Sequence, residues 1–115
     1  MRIVLDKNIP VGVRRFLLQH EVRTGAEMGW PDQLENGALL NAAEAAGCDV
    51  MVTADQNIRY QQNLKGRKLG LVVLGSNIWP LVCEHGEAIA AKVNAATTGS
   101  YQFIEMPLPP KPQRN

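Results

Sequence analysis

The run LGLVVLG, at residues 69–75, is the feature that most restricts how this chain can fold. It is apolar along its length and as long as a typical strand, as expected for a β-strand that is covered on both faces. Shorter strands are predicted at RIVL (2–5) and DVMVT (49–53), with weaker ones at HEVRT (20–24) and SYQFIEM (100–106). The last of these alternates in polarity, which is typical of a strand at the edge of a sheet.

Helical patterns lie between these strands. Apolar residues recur at helical spacing over residues 10–20, 35–47 and 80–96, and Thr24 and Glu27 have the spacing of a capping box for a brief helix. Strands that alternate with helices predict a three-layer α/β/α sandwich with a mostly parallel central sheet.

Composition sets the limits of this domain and of its environment. The 115 residues, of which 45% are hydrophobic and 20% charged, fit one globular domain, predicted over residues 1–106. Residues 107–115 contain four of the seven prolines and are predicted to be an extended tail. The net charge of +1 predicts no overall attraction to nucleic acid, so any such binding needs a local patch. We expect a cytoplasmic protein without a membrane span, because no apolar run approaches the roughly 18 residues that a membrane helix requires.

Asp6 and Asp55 follow two of the predicted strands, in the segments VLDKNIP and VTADQNI. Parallel strands end at the same edge of a sheet, and ligands bind outside those ends, so we expect the two carboxylates to converge. Adjacent carboxylates require a cation or a shifted pKa, and Mg²⁺ is the natural partner. Such an ion can activate water, which predicts metal-dependent phosphodiester hydrolysis with Asp6 and Asp55 as catalytic residues. The alternative is that both aspartates cap the helices after their strands.

Polar residues beside these aspartates are candidates for substrate binding: Lys7, Asn8, Thr53, Asn57 and Arg59. Lys7 and Arg59 suit phosphate groups, the two asparagines can orient the carboxylates, and Thr53 can donate to a bound water or to Asp55. An arginine followed by an aromatic residue also suits single-stranded RNA, which is bound through phosphate pairing and base stacking. Ordinary capping or surface roles are the alternative for each of these residues.

Four segments together resemble the small PIN-like proteins, which are relatives of the PIN-domain ribonucleases of bacterial toxin–antitoxin pairs (VapC-type). The segments are VLDKNIP, EVRTGAEMGW, LENGALLNAAEAAGCDVMVTADQNIRYQQNL and LGLVVL, and the resemblance covers about residues 2–80. It implies a PIN-like parallel-sheet fold, a Mg²⁺ or Mn²⁺ site and cleavage of single-stranded RNA. It also implies an antitoxin protein and a second copy of the chain, as a homodimer, for partners.

The resemblance carries over to four positions of this chain. Asp6 and Asp55 match acidic positions of the family. A third acidic position falls at LENG, where Glu35 and Asn36 are the candidates and Asn36 is nearer, and a fourth falls at Ser-Asn in residues 76–77. The metal ligands implied in this way are Asp6, Asp55, Asn36 and Asn77.

The amides at two of these positions leave the activity open. An asparagine keeps an oxygen ligand but removes a negative charge, which weakens the attraction for a divalent ion. One hypothesis is therefore a ribonuclease, and a second is a catalytically weak or inactive PIN-like module that binds RNA or protein. A third, a receiver-like signalling domain, requires a lysine after a late strand, and LGSN (74–77) supplies none.

Overall fold

The fold is given by a computed structural model, which describes residues 1–58 and 66–107. One sheet in this part of the chain contains five strands: β1 (Arg2–Leu5), β2 (Glu21–Thr24), β3 (Val50–Thr53), β4 (Gly70–Leu74) and β5 (Tyr101–Ile104). All five were predicted, and their observed bounds differ from the predicted ones by no more than two residues. Every pair is parallel, whereas the sequence predicted a mostly parallel sheet.

The order of the strands determines where a ligand can bind. The strands pair in the order β2-β1-β3-β4-β5, so the chain adds β2 on one side of β1 and all later strands on the other. The winding direction therefore reverses between β1 and β3. In open parallel sheets this reversal opens a crevice beyond the carboxyl ends of the two strands.

Side chains alternate between two cores, one on each face of the sheet. On one face, Ile3, Val52 and Leu74 belong to a buried cluster with residues of the helices after β1 and β4. On the other face, Val4, Met51 and Val73 belong to a second cluster with the helix after β2. All five residues of β4 are buried, which confirms that the apolar run at 69–75 is covered on both faces.

The helices agree with the sequence in position but not always in form. The covering elements are a 3-10 helix (Val11–Phe16) and the α-helices α1 (Asn36–Ala45), α2 (Trp79–Glu84) and α3 (Gly86–Ala95). The prediction of one helix over residues 80–96 was wrong, because the chain breaks at His85, where φ is −103° and ψ is 17°. The helix predicted over residues 10–20 is shorter than expected and is a 3-10 helix.

A close contact accompanies the break between α2 and α3. A Cβ built on Gly86 would lie 2.5 Å from Cδ1 of Phe16, so only glycine lets the aromatic ring approach the backbone at this point. The same interface is tight at Gly12, where an added Cβ would lie 2.6 Å from Cη2 of Trp79. The rings of Phe16 and Trp79 are 6.3 Å apart between centroids. Packing between the 3-10 helix and the helices after β4 therefore depends on two glycines.

The capping box at Thr24 and Glu27 forms without a helix behind it. The Thr24 N–H donates to Glu27 Oε1 at 2.9 Å, and the Glu27 N–H donates to Thr24 Oγ1 at 3.2 Å. The chain then makes turns and reaches Gly29 at φ 80°. The brief helix predicted after Thr24 was wrong, because residues 25–29 form turns, in which the Met28 N–H donates to the Gly25 carbonyl and the Gly29 N–H donates to the Ala26 carbonyl.

Across residues 1–58 and 66–107, every helix is too short or too polar to span a membrane. Of the predicted tail at 107–115, only Pro107 belongs to the described residues.

Candidate functional site

A cleft of about 310 Å³ lies beyond the carboxyl ends of β1 and β3, at the point where the winding reverses. Its polar wall consists of Asp6, Lys7, Asn8, Glu35 and Asp55. Its apolar wall consists of Leu34, Leu39 and Ile58. The structure thus brings Asp6 and Asp55 to one cleft although 48 residues separate them in sequence.

Thr53, the last residue of β3, connects the two aspartates. Its side chain is 0% exposed, and its hydroxyl donates to Asp6 Oδ2 at 2.7 Å while it accepts the Asp55 N–H at 3.1 Å. A hydroxyl can donate once and accept as well, so both functions of this buried group are used. Thr53 lies behind the carboxylates and is not among the residues that line the cleft. It holds Asp6 against the first turn after β3.

The carboxylate of Asp6 is fixed from both sides. Its Oδ1 accepts the Lys7 N–H at 2.7 Å, and its backbone N–H donates to the Val52 carbonyl at 2.9 Å. Since a carboxylate has about four acceptor sites, the bonds from the Lys7 N–H and the Thr53 hydroxyl leave room for a further donor or a cation. Asp6 is therefore held in one position at the mouth of the crevice.

Asp55 makes the local bond that the capping alternative predicted. Its Oδ1 accepts the Asn57 N–H at 3.0 Å, which closes an Asx-turn after β3. This bond uses one acceptor site of the carboxylate, so capping and ligand binding are compatible at this residue.

Lys7 and Glu35 form an ion pair at the rim of the cleft. The Lys7 Nζ lies 3.2 Å from Glu35 Oε1 and also donates to the Asp32 carbonyl at 2.6 Å. Lys7 thereby links the end of β1 to the loop that precedes α1. The family resemblance favoured Asn36 over Glu35 as a metal ligand. The structure places Glu35 in the cleft wall and Asn36 at the first position of α1.

The other predicted site residues occupy different positions. Asn8 lines the cleft, and its Oδ1 accepts the Ala54 N–H at 3.2 Å, which joins the loops after β1 and β3. Asn57 is exposed in the turn after β3. Asn77 is exposed after β4 and does not line the cleft. Arg59 lies outside the described residues.

One contact at this edge was missed by the sequence reasoning. The Gln56 side-chain amide donates to the Gly75 carbonyl at 3.2 Å and so joins the loops after β3 and β4. Gln56 stands between two residues that were singled out, but only the pairing of β3 with β4 indicates its partner.

The side chains of the cleft supply only some of the ligands that a divalent metal ion needs. Within the described ranges, no three or more His, Cys, Asp and Glu side chains are grouped closely enough to hold an ion. Asp6 and Asp55 nevertheless offer carboxylate oxygens to one cleft, and Mg²⁺ commonly binds one or two carboxylates together with waters and substrate phosphate. The residues therefore suit a single weakly held ion and not a two-metal centre.

The fold and the cleft define a class of protein: a parallel α/β domain with an acidic crevice at the reversal of its sheet. Comparison of the chain with family models, with curated proteins and with solved structures finds no match. The resemblance to PIN-like proteins accordingly stays a prediction.

Proposed function

We propose that this chain is a PIN-like ribonuclease that uses Mg²⁺ or Mn²⁺ to hydrolyse phosphodiester bonds of single-stranded RNA. The observation that supports the proposal is the convergence of Asp6 and Asp55 on one cleft at the carboxyl edge of the sheet. The buried Thr53 hydroxyl also holds one of these carboxylates, that of Asp6, in place.

The polar residues in and behind the cleft have different roles in this proposal. Asp6 and Asp55 supply the carboxylate oxygens that hold the ion, and the ion supplies Lewis-acid chemistry and a more acidic water. Thr53 positions Asp6, and Asn8 keeps the loops after β1 and β3 together. Lys7, at the rim of the cleft, is proposed to contact phosphate. Asn77 lies outside the cleft wall, so it has no metal contact in this proposal, and the roles predicted from the sequence for Asn36, Asn57 and Arg59 stay predictions.

Cleavage of an unstructured RNA in the presence of Mn²⁺ tests the proposal. We expect Asp6→Asn and Asp55→Asn each to lower the rate about a hundredfold, the usual scale for removing one electrostatic group from an active site. Glu87→Gln is the matched control, because it neutralises an exposed carboxylate in the first turn of α3. Equal rates for the wild type and both aspartate variants would refute the assignment.

A second function is favoured by the Lys7–Glu35 pair. The ammonium neutralises one of the three carboxylates of the cleft, so the chain has few charges with which to hold a metal. In this alternative, the chain is a catalytically weak or inactive PIN-like module that binds RNA or protein. Binding of a fluorescent RNA in EDTA, without cleavage after Mn²⁺ is restored, would favour the module over the nuclease.

A toxin role is a further part of the proposal and is supported by the family resemblance alone. The chain would act in the cytoplasm as the toxin of a toxin–antitoxin pair, with an antitoxin and a second copy of itself as partners. A neighbouring reading frame that encodes a small antitoxin-like protein is the first thing to look for. Expression of the wild type should arrest growth, and expression of Asp6→Asn should not.

A further inference from the structure

A cation–π contact joins the 3-10 helix after β1 to the start of α2. The Cζ of Arg15 lies 5.1 Å from the centroid of the Trp79 ring, within the roughly 6 Å over which a guanidinium is attracted to an aromatic face. Gly12 packs against the same indole, as expected in a 3-10 helix, where residues three apart share a face. Trp79 is half-buried and Arg15 is exposed. The indole therefore supports one side of the guanidinium, and the other side is open to a ligand.

Arg15 differs from the other arginines of residues 1–58 and 66–107. Each of the others forms an ion pair with a glutamate: Arg2, Arg14, Arg23 and Arg67. Within the same ranges Arg15 has no such pair, so no carboxylate there neutralises its charge. A guanidinium in this state attracts an anion such as a phosphate group.

Two exposed apolar side chains lie next to the contact. Val11 is 56% exposed and Ile78 is 53% exposed. They precede Gly12 and Trp79 in sequence, and because these two residues pack together, all four belong to one part of the surface. Apolar surface beside a planar cation suits a nucleotide, since the ring of a base stacks on a guanidinium and the adjoining phosphate pairs with its charge.

This surface lies at the edge of the sheet that carries the cleft. The 3-10 helix and α2 follow the carboxyl ends of β1 and β4. Val11 comes five residues after Asp6, so their Cα atoms are at most about 18 Å apart. An RNA strand with one phosphate in the cleft spans this distance with a few nucleotides.

We propose that Arg15, supported by Trp79, is a nucleotide-binding platform on which a base of single-stranded RNA stacks outside the cleft. This inference rests on the proposed function, because RNA is the substrate proposed for the cleft. Trp79 is a positioning residue, since it acts through the guanidinium and not on the base. A lysine at position 15 would keep the charge but would lack the plane on which a base stacks.

An NMR titration with a uridine decamer in EDTA tests the platform without cleavage. The chain has two tryptophans, and RNA should shift the indole N–H signal of Trp79 but not that of Trp30. We expect Arg15→Ala to weaken the affinity about tenfold, equivalent to about 1.4 kcal/mol and typical of one stacked base. Arg15→Lys should recover less than half of this loss on the free-energy scale.

An abasic strand of the same length separates stacking from phosphate pairing. The wild type should bind it about tenfold more weakly than the decamer, and Arg15→Ala should bind the two strands with nearly equal affinity, because the base then has nothing to stack on. Lys92→Ala is the matched control, since it removes an exposed cation from α3 and should change the affinity for the decamer by less than about twofold. Circular dichroism melts check that the variants fold.

The outcomes distinguish this inference from the proposed function. If Arg15→Ala binds the decamer like the wild type, or weakens both strands equally, the platform is refuted, and cleavage that depends on Asp6 and Asp55 would still support the nuclease. If the base-dependent loss appears but no RNA is cleaved with Mn²⁺, the nuclease proposal fails and the platform stands. If RNA leaves the Trp79 signal unmoved and Arg15→Ala instead reduces self-association in ultracentrifugation, the surface is a protein interface and the platform is refuted.

Discussion

Replacement of Thr53 by valine is expected to destabilise the protein and to release Asp6. Valine has nearly the same shape as threonine, so packing at this fully buried position is kept and only the hydroxyl is lost. The variant loses the bond to Asp6 Oδ2, at 2.7 Å, and the acceptor of the Asp55 N–H, at 3.1 Å.

The expected loss in the free energy of unfolding follows from these two hydrogen bonds. A hydrogen bond to a charged group contributes about 1.5–3 kcal/mol, and a bond between neutral groups contributes about 1 kcal/mol. Asp6 is only half-buried, so water replaces part of the bond that it loses, and we take the lower end of the range for a charged partner. The free energy of unfolding should then fall by about 2–3 kcal/mol, and Tm by roughly 10 °C for a chain of this size.

Urea unfolding of Thr53→Val, with Thr53→Ser as the matched control, measures this effect. The serine variant keeps the hydroxyl and loses one methyl group, so its loss should be about 1 kcal/mol. Its affinity for Mn²⁺ should match the wild type, whereas that of the valine variant should fall, because Asp6 is no longer held. A valine variant as stable as the wild type would show that the hydroxyl bridge contributes nothing.

Three further predictions concern positions outside the cleft. Gly86→Ala should lower the free energy of unfolding by about 1–3 kcal/mol, because the added methyl overlaps the Phe16 ring, and thermal melts measure it. Glu44→Gln should cost about 1–2 kcal/mol in urea unfolding, because it breaks a pair with Arg67 in which both side chains are mostly buried. Burial raises the pKa of the Cys48 thiol above its usual 9.0, which means that the folded protein holds the thiol proton more tightly than the unfolded chain does. The resulting contribution to the free energy of unfolding is present below pH 9.0 and is lost as the pH rises through the folded pKa. Alkylation by iodoacetamide at increasing pH measures that pKa, and a value of 9.0 or lower would contradict the prediction.

The strands and the meeting of the two aspartates could be predicted because both depend on local pattern and general topology. An apolar run such as residues 69–75 has few stable environments other than the middle of a covered sheet. Once the sheet is parallel, residues that follow different strands must share one edge. This reasoning placed Asp6 and Asp55 together without any knowledge of the contacts around them.

The errors arose where a distant residue decides the local structure. The break between α2 and α3 involves Gly86, whose close neighbour Phe16 is 70 residues earlier, so no pattern within 80–96 reveals the contact. The role of Glu35 depends in the same way on Lys7, which lies 28 residues before it. From LENG alone, Glu35 and Asn36 were both open, and the resemblance favoured Asn36, which stays a prediction; the contact of Glu35 with Lys7 is one that this segment alone could not show.

The site also explains why two readings of the aspartates need not exclude each other. Asp55 closes a turn with one oxygen, as a capping residue does, and still lines the cleft. Asp6 makes no such turn with a later residue, and its second oxygen is held by Thr53 from the neighbouring strand. A carboxylate fixed from behind in this way pays less entropy to bind a cation, because its rotamer is already set.

The central claim is that Asp6 and Asp55 share one cation, and a Mn²⁺ titration followed by thermal unfolding tests it most directly. Saturating Mn²⁺ should stabilise the wild type, by about 2.7 kcal/mol at a hundred times Kd. Asp6→Asn, Asp55→Asn and the double variant should each lose nearly all of this stabilisation, because a shared ion is lost once either ligand is removed. Stabilisation that persists in either single variant, or two partial losses that add in the double variant, would contradict the claim.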